Sequence, residues 1–322
     1  MKRNYPWLHE RRFNAFPNYC VRVFGERLQK VSVDAGFTCP NRDGTISTQG
    51  CFYCNNASFS PSYCNSSKNI TEQIKEGIDF LNIRYKKAEK YLVYFQSYTN
   101  TYRKINELKS LYSEALSYNG VKGLIIGTRP DCITEELLDY LAELSENYYI
   151  VMEFGMETTN NNTLKFINRG HTFEQSVEAL QLCASKKVLA GVHLIFGLPY
   201  ENEEELLSRA HIISKLPVHA IKIHQLQIVK ETVLETLYKK EPSAFLSFTL
   251  DSYIDLIIGF TERLNPDIII DRFAGEVPPR FLAGPSIMKN NTYGYLRNDQ
   301  ILQMIEKRME ALDTWQGKGF KA

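Results

Sequence analysis

Residues 30–59 read KVSVDAGFTCPNRDGTISTQGCFYCNNASF. The first five, KVSVD, alternate polar and apolar side chains and predict a β-strand. A loop rich in Gly, Asn and Asp follows at once. It carries Cys39, Cys51 and Cys54, the last two as a C-x-x-C pair around Phe52 and Tyr53. Thiolates are the natural ligands of iron–sulfur clusters. Three of them without an obvious fourth leave one iron open to a substrate or cofactor, so the loop points to chemistry rather than electron storage. Its position directly after a strand also bears on the fold, because in barrels of parallel strands the chemistry gathers at the strands' C-terminal ends.

Two other readings of the loop stand beside the cluster. A structural zinc ion takes four protein ligands, and Cys64 is the available fourth, although it has no paired C-x-x-C partner. A redox dithiol at Cys51 and Cys54 is the second, and it leaves Cys39 without a role. Cys20, Cys132 and Cys183 read as ordinary small apolar residues.

Outward from the loop, strand-like and helix-like segments alternate. Residues 71–89, 103–117 and 134–146 read as helices, and 91–96 (YLVYFQ) and 123–128 (GLIIGT) as strands. YIVMEFG at 149–155 is a near-continuous apolar run, the mark of a buried parallel strand. Thr172 with Gln175, and Asn202 with Glu205, have the spacing of capping boxes. Further strands are expected at 190–199, 220–228 and, briefly, 267–271 (DIIID), with helices at 249–263 and near 298–313. This alternation predicts an α/β fold with a parallel sheet.

The chain has 322 residues, 43% of them hydrophobic, enough for one large core. No apolar run approaches the roughly 20 residues that cross a membrane. The start, MKRNYPWLHERRF, lacks the apolar core of a signal peptide, so a cytoplasmic protein without membrane contact is expected. Seven cysteines in a chain of this length are not a disulfide scaffold. The net charge of +1 neither marks nor excludes a nucleic-acid partner. Residues 1–30, however, hold seven Lys and Arg, Lys2 and Arg3 among them, against two Glu, with Tyr5, Trp7, Phe13, Phe16, Tyr19 and Phe24 interleaved. Stacking residues among cations suit RNA; the other reading is a basic, aromatic segment packed on a barrel.

With these residues in view, the chain resembles the radical S-adenosylmethionine (SAM) superfamily. The usual cysteine spacing there is C-x3-C-x2-C, whereas this chain has C-x11-C-x2-C. The long first gap is similar to the branch related to the catalytic subunit of Elongator, and within it to a small bacterial family of the YhcC/YtqA type. GTRPDCI (127–133), EFGMETTNNNTLKFINRGHTFE (153–174), HLIFGLPYE (193–201), IKIHQLQIVKET (221–232) and DRFAGEVP (271–278) carry the likeness over about residues 20–285. It implies a partial (β/α)6 TIM-type barrel of the radical SAM type at 30–230. A basic aromatic extension (1–29) and a C-terminal extension (231–322) would pack on it.

The resemblance also implies cofactors and roles. Cys39, Cys51 and Cys54 would bind three irons of a [4Fe–4S] cluster, with SAM on the fourth. Tyr53 would shield the cluster near the adenine. Gln96 and Ser97 stand where most of the superfamily holds the SAM amino group, though the usual G-G-E-like turn is absent. Glu157 and His193 stand where related enzymes bind the ribose hydroxyls, and Arg169 where a cation meets the SAM carboxylate. A carboxylate accepts from two hydroxyls and an arginine fork suits a carboxylate. Tyr98, Tyr102, Glu153 and Glu276, at expected strand ends or loops, are the candidates for substrate positioning or proton transfer. His171 and His224 either face substrate or serve packing.

The activity so implied is reductive cleavage of SAM to a 5′-deoxyadenosyl radical that abstracts hydrogen from a substrate, with flavodoxin or ferredoxin as electron donor. The Elongator likeness points to tRNA, at the C5 side chain of a wobble uridine. Nothing after residue 285 resembles an acetyltransferase domain, so acetyl-CoA-dependent carboxymethylation is not implied. Two alternatives stand. One is a radical SAM enzyme acting on a small metabolite, since the G-L-P and R-G-H regions also resemble oxygen-independent coproporphyrinogen oxidases. The other is a non-catalytic metal-binding scaffold.

Overall fold

The apolar runs of the sequence form one parallel sheet whose strands lie side by side in chain order. The structure, a computed structural model, describes residues 5–84, 88–290 and 294–321. A short helix α1 (Phe16–Phe24) leads into β1 (Gln29–Val33), α2 (Ile70–Arg84), β2 (Tyr91–Phe95), α3 (Ile105–Ser117), β3 (Val121–Thr128), α4 (Glu135–Ser145) and β4 (Tyr149–Glu157). Then come α5 (Asn161–Phe166), α6 (Phe173–Ser185), β5 (Leu189–Phe196), α7 (Glu203–Ile213), β6 (Ala220–Gln225), α8 (Val233–Lys240), α9 (Leu250–Arg263) and β7 (Ile269–Arg272). A small hairpin, β8 (Lys289–Asn290) and β9 (Gly294–Tyr295), precedes α10 (Asn298–Ala311). Residues 85–87 of the helix expected at 71–89 lie outside the described residues, as do Lys2 and Arg3.

The sheet is a partial TIM-type barrel one strand longer than the six expected, because the short DIIID segment pairs with β6. Strand alternation sorts its two faces. Val31, Val93, Leu124 and Ile150 stand in register and point out to the helices, and all four belong to the main apolar core. Tyr94, Ile125 and Val151, each one residue on, face the concave side. The twist of parallel strands curls the sheet far enough for Lys30 of β1 to reach Asp271 of β7, Nζ to Oδ2 2.5 Å. Both expected capping boxes open their helices: Thr172 with Gln175 at α6, Asn202 with Glu205 at α7.

The N-terminal segment seals the end of the arc where the strands begin. Phe16 and Cys20 of α1 pack with Leu92, Tyr94, Tyr149 and Ile269 in a separate apolar cluster. Ahead of it, Tyr5 and Trp7 are buried and stacked at 4.9 Å, while Arg11 pairs with Glu306 and Arg12 with Asp313. Among the described residues the basic aromatic pattern serves packing: four of its rings (Tyr5, Trp7, Phe13 and Phe16) are buried, Arg11 and Arg12 pair with the C-terminal region, and Arg22 donates to Trp7 O at 3.2 Å. No helix among the described residues is long and apolar enough to cross a membrane.

His219, at the foot of β6, is buried beside Tyr19 and Tyr149, its Nε2 2.8 Å from the Tyr149 hydroxyl. Burial pulls its imidazole from 6.5 down to about 4. The unfolded chain takes up a proton below about 6.5 that the folded protein refuses until about pH 4. Stability therefore falls as pH drops through that window. Half-buried His9 and buried His171, held at about 4 and about 3, act in the same sense. Urea midpoints are expected to decline from pH 7 to pH 5, and His219→Gln to flatten the decline. An unchanged slope in the variant would exclude His219 as a source.

Candidate active site

The C-terminal ends of the strands open into a cleft of about 450 Å³, within the range of small-molecule sites. Cys39, Cys51 and Cys54 line one wall together with Tyr53, Glu157 and Arg169. Gln96, Tyr98, Glu153, His193 and Glu276 line the rest. Two expected residues are elsewhere. Ser97 is buried with its Oγ 3.4 Å from Ser60 Oγ, and the Tyr102 hydroxyl bonds Thr45 Oγ1 at 2.9 Å. Neither lines the cleft.

The cysteine loop is shaped by local turns and clamped from a distance. Arg42 N donates to Cys39 O at 2.8 Å and Cys54 N to Cys51 O at 2.9 Å. The N-R-G-H turn after α5 grips the loop: Asn41 Nδ2 donates to Asn168 O at 2.6 Å, and Asn168 Nδ2 to Gly50 O at 2.8 Å. Behind that turn lies the T-R-P-D motif. Arg129, buried, donates from Nη1 to Arg169 O at 2.8 Å, while Asp131 holds it through two bonds of 2.9 and 2.7 Å. Gly170 has φ +74°, and a Cβ there would lie 3.0 Å from Asn41 Oδ1. Only glycine lets the turn approach this closely.

The three thiols are free of disulfides. Burial, with Cys51 beside it, pushes the Cys54 thiol up to about 12, and Cys39 and Cys51 both oppose its ionisation. To ionise together, the three would need a cationic centre between them. Asn41 Nδ2 and Arg169 Nη1 each lie 3.5 Å from Cys51 Sγ, poised to donate to that sulfur. Among the described residues no three His, Cys, Asp and Glu side chains close around a single ion. Cys64, the candidate fourth zinc ligand, donates instead to Ser32 O at 3.3 Å and does not line the cleft. The donor set fits a cluster with one open iron rather than a zinc ion.

Next to the thiols, Tyr53 donates to Glu157 Oε1 at 2.9 Å, and Arg169 Nε lies 3.5 Å from the same oxygen. A β-bulge where β4 meets β5 delivers Glu157 in the left-handed region, φ 65°. Tyr98 is also left-handed, φ 63°, with the Arg42 guanidinium 5.8 Å from its ring centre. Non-glycine residues rarely hold such angles, and those that do cluster at functional sites.

The opposite wall rests on a buried charge ladder. His193 Nε2 is 2.8 Å from Glu153 Oε2, and Lys222 Nζ 2.5 Å from Glu153 Oε1. Lys222 Nζ is also 3.3 Å from Asp271, which pairs with Lys30. Burial alone would raise the Glu153 carboxyl, but Lys222 and His193 hold it well below the usual carboxylate range. Burial pulls the Lys222 ammonium down to about 8 against the attraction of Glu153. Glu276 is partly committed elsewhere, its Oε1 accepting from Asn298 N at 2.5 Å at the start of α10.

Residues 42–211 match the Radical SAM superfamily, and residues 218–311 the Radical_SAM C-terminal domain. This chain belongs to the radical SAM superfamily. It is 32% identical to the uncharacterized protein YtqA of Bacillus subtilis, over 100% of this chain and 98% of that one. A shorter stretch, 36% of this chain and 22% of the other, is 27% identical to a tRNA uridine(34) acetyltransferase of Methanocaldococcus jannaschii. Among solved structures, Elp3 of Methanocaldococcus infernus with an N-terminal deletion superposes with a TM-score of 0.64 over 90% of this chain. This chain spans 64% of that one at 17% identity, so the likeness is one of fold.

Radical SAM proteins use a [4Fe–4S] cluster and SAM, and membership supports an enzyme. The cleft carries the chemistry both groups need: soft sulfur donors on one wall, with a buried guanidinium and a carboxylate adjoining them. Sequence reading assigned no role to Arg129, Asp131, Asn41, Asn168 or Lys222. The first two were visible as a motif. Asn41, Asn168 and Lys222 also lie in the quoted stretches, but their roles carry no local signal, because their partners lie far away in the chain.

Proposed function

We propose that this protein holds a [4Fe–4S] cluster on Cys39, Cys51 and Cys54, binds SAM beside it, and remodels the C5 side chain of a wobble uridine in tRNA. The observation that carries the reading is the grouping of three free thiols with buried Arg169 and Glu157 on one wall of a cleft at the strand ends. When bound and reduced, the cluster supplies the electron that cleaves SAM to methionine and a 5′-deoxyadenosyl radical.

The chain's own residues orient and enclose. Arg169 binds the methionine carboxylate, Glu157 and His193 the ribose hydroxyls and Gln96 the amino group, while Tyr53 shields the cluster near the adenine. Asn41 and Arg169 donate to the Cys51 sulfur, which stabilises its thiolate and tunes the site. Glu153 faces the substrate from the opposite wall. A flavodoxin or ferredoxin supplies the electron. The partial likeness to a tRNA uridine(34) acetyltransferase supports tRNA as substrate.

The test compares wobble-uridine nucleosides by mass spectrometry in a deletion strain, the complemented strain and one complemented with Cys54→Ala. A C5 modification missing from the first and last is expected, along with tRNA binding that weakens steeply with salt. An unchanged nucleoside profile together with no salt-sensitive tRNA binding would sink the tRNA reading.

A further inference from the structure

The wall of the cleft farthest along the sheet carries three buried polar atoms that no described residue hydrogen-bonds. His224 lies on β6 at the inward-facing position two residues after Lys222, Gln227 just beyond the end of β6, and Arg272 ends β7. All three line the cleft. His224 Nε2, Gln227 Nε2 and Arg272 Nε are buried and make no hydrogen bond among the described residues. Buried polar groups are almost always hydrogen-bonded, and each one left without a partner is costly. Three together at one wall of an open cleft mark a place prepared for a ligand.

Their surroundings show that the arrangement is fixed rather than loose. The amide of Gln225 is fully engaged with the loop after β7: Nε2 donates to Gly275 O at 2.8 Å, and Gly275 N to Oε1 at 2.9 Å. That clamp brings Gly275 against the His224 ring, where a Cβ would lie 2.5 Å from Nδ1. The ring is therefore pinned, 5.5 Å from that of His193. Burial, with Arg272 beside it, holds the His224 imidazole well below its usual value, so it is neutral and donates from one nitrogen.

We infer that His224, Gln227 and Arg272 form a substrate subsite that takes the carbonyl edge of a uracil ring. The inference rests on the tRNA reading and names what the far wall of the cleft recognises. Arg272 offers only donors, and the unused atom of Gln227 is a donor. A uracil ring presents carbonyl oxygens that accept. Cytosine replaces the C4 carbonyl with an amine that donates, which would set donor against donor and leave both unpaired. A site built from buried hydrogen-bonding groups discriminates strongly against the analogue that cannot pair with it. Bases read this way are splayed out of a single-stranded loop, as a wobble base is.

The test uses the reconstituted protein with SAM and a synthetic anticodon stem–loop RNA bearing uridine or cytidine at the wobble position, followed by fluorescence anisotropy. Wild type is expected to bind the uridine loop about tenfold more tightly than the cytidine loop. Gln227→Leu should bring the ratio near one, chiefly by weakening binding of the uridine loop, while leaving the salt dependence unchanged. Gln227→Glu, which puts an acceptor in the same place, should turn the preference towards cytidine. Cluster absorbance checks that each variant is folded and loaded. If neither RNA binds, the tRNA reading falls and the subsite with it. RNA binding with no uridine preference in wild type, or a preference that survives in Gln227→Leu, overturns the subsite and leaves the tRNA reading standing.

Discussion

Cys51→Ala is expected to lower 5′-deoxyadenosine formation from SAM to background after anaerobic reconstitution and reduction, and to remove the visible absorbance of the cluster. Loss of groups that merely support a metal ligand costs about 10–100-fold, so loss of the ligand itself should exceed that. Cys51 is the best place to test because its sulfur already has donors on it, Asn41 Nδ2 and Arg169 Nη1, each at 3.5 Å. The fold should survive, since Cys51 is only partly buried and a thiol-to-methyl change removes no core packing. Cys64→Ala is the control. Its thiol faces Ser32 O, not the cleft, so it should keep both the cluster and the activity. If Cys64→Ala abolished metal binding while Cys51→Ala did not, the three-cysteine centre would be wrong and a zinc site would return.

How far the sequence could be read depended on whether the deciding contact was local. The capping boxes at Thr172 and Asn202 are written within four residues, and both appear as expected. The apolar strands were legible because a run buried on both faces needs no knowledge of its neighbours. Helix α1 was not: Ala15 at its N-cap makes no side-chain cap bond, and Pro17 in its first turn is the one start signal. Its Phe and Arg residues read equally well as an RNA platform until the burial of Phe16 against Tyr149 and Ile269 decided between the two. In the site, Tyr102 looked equivalent to Tyr98, four residues away. The turn between them sends it to Thr45 instead. Arg129 is the sharpest case. An arginine is exposed by default, yet this one is 2% exposed and holds the backbone of Arg169. The motif was visible; its function depends on a carbonyl 40 residues away in the chain.

Lys222→Met is expected to destabilise the protein by about 3–5 kcal/mol, the usual cost of removing one partner from a buried ion pair. The lysine sits at the centre of the barrel interior, 2.5 Å from Glu153 and 3.3 Å from Asp271, with Tyr94 beneath its ammonium at 4.1 Å. Without it, the ion-pair partners left among the described residues are His193 for Glu153 and Lys30 for Asp271. Both carboxylates would then be buried with too little compensating charge. The double variant Lys222→Met with Glu153→Gln removes the stranded charge as well, so it should cost less than the sum of the two single changes. Urea midpoints of the four proteins measure this directly, and a Lys222→Met protein within about 1 kcal/mol of wild type would show that the interior tolerates the loss. The stake extends to the cleft. Lys222 and Asp271 belong to the two strands that carry His224 and Arg272, while Glu153 orients His193. The ladder that keeps the sheet curled therefore also sets the wall against which a substrate must lie.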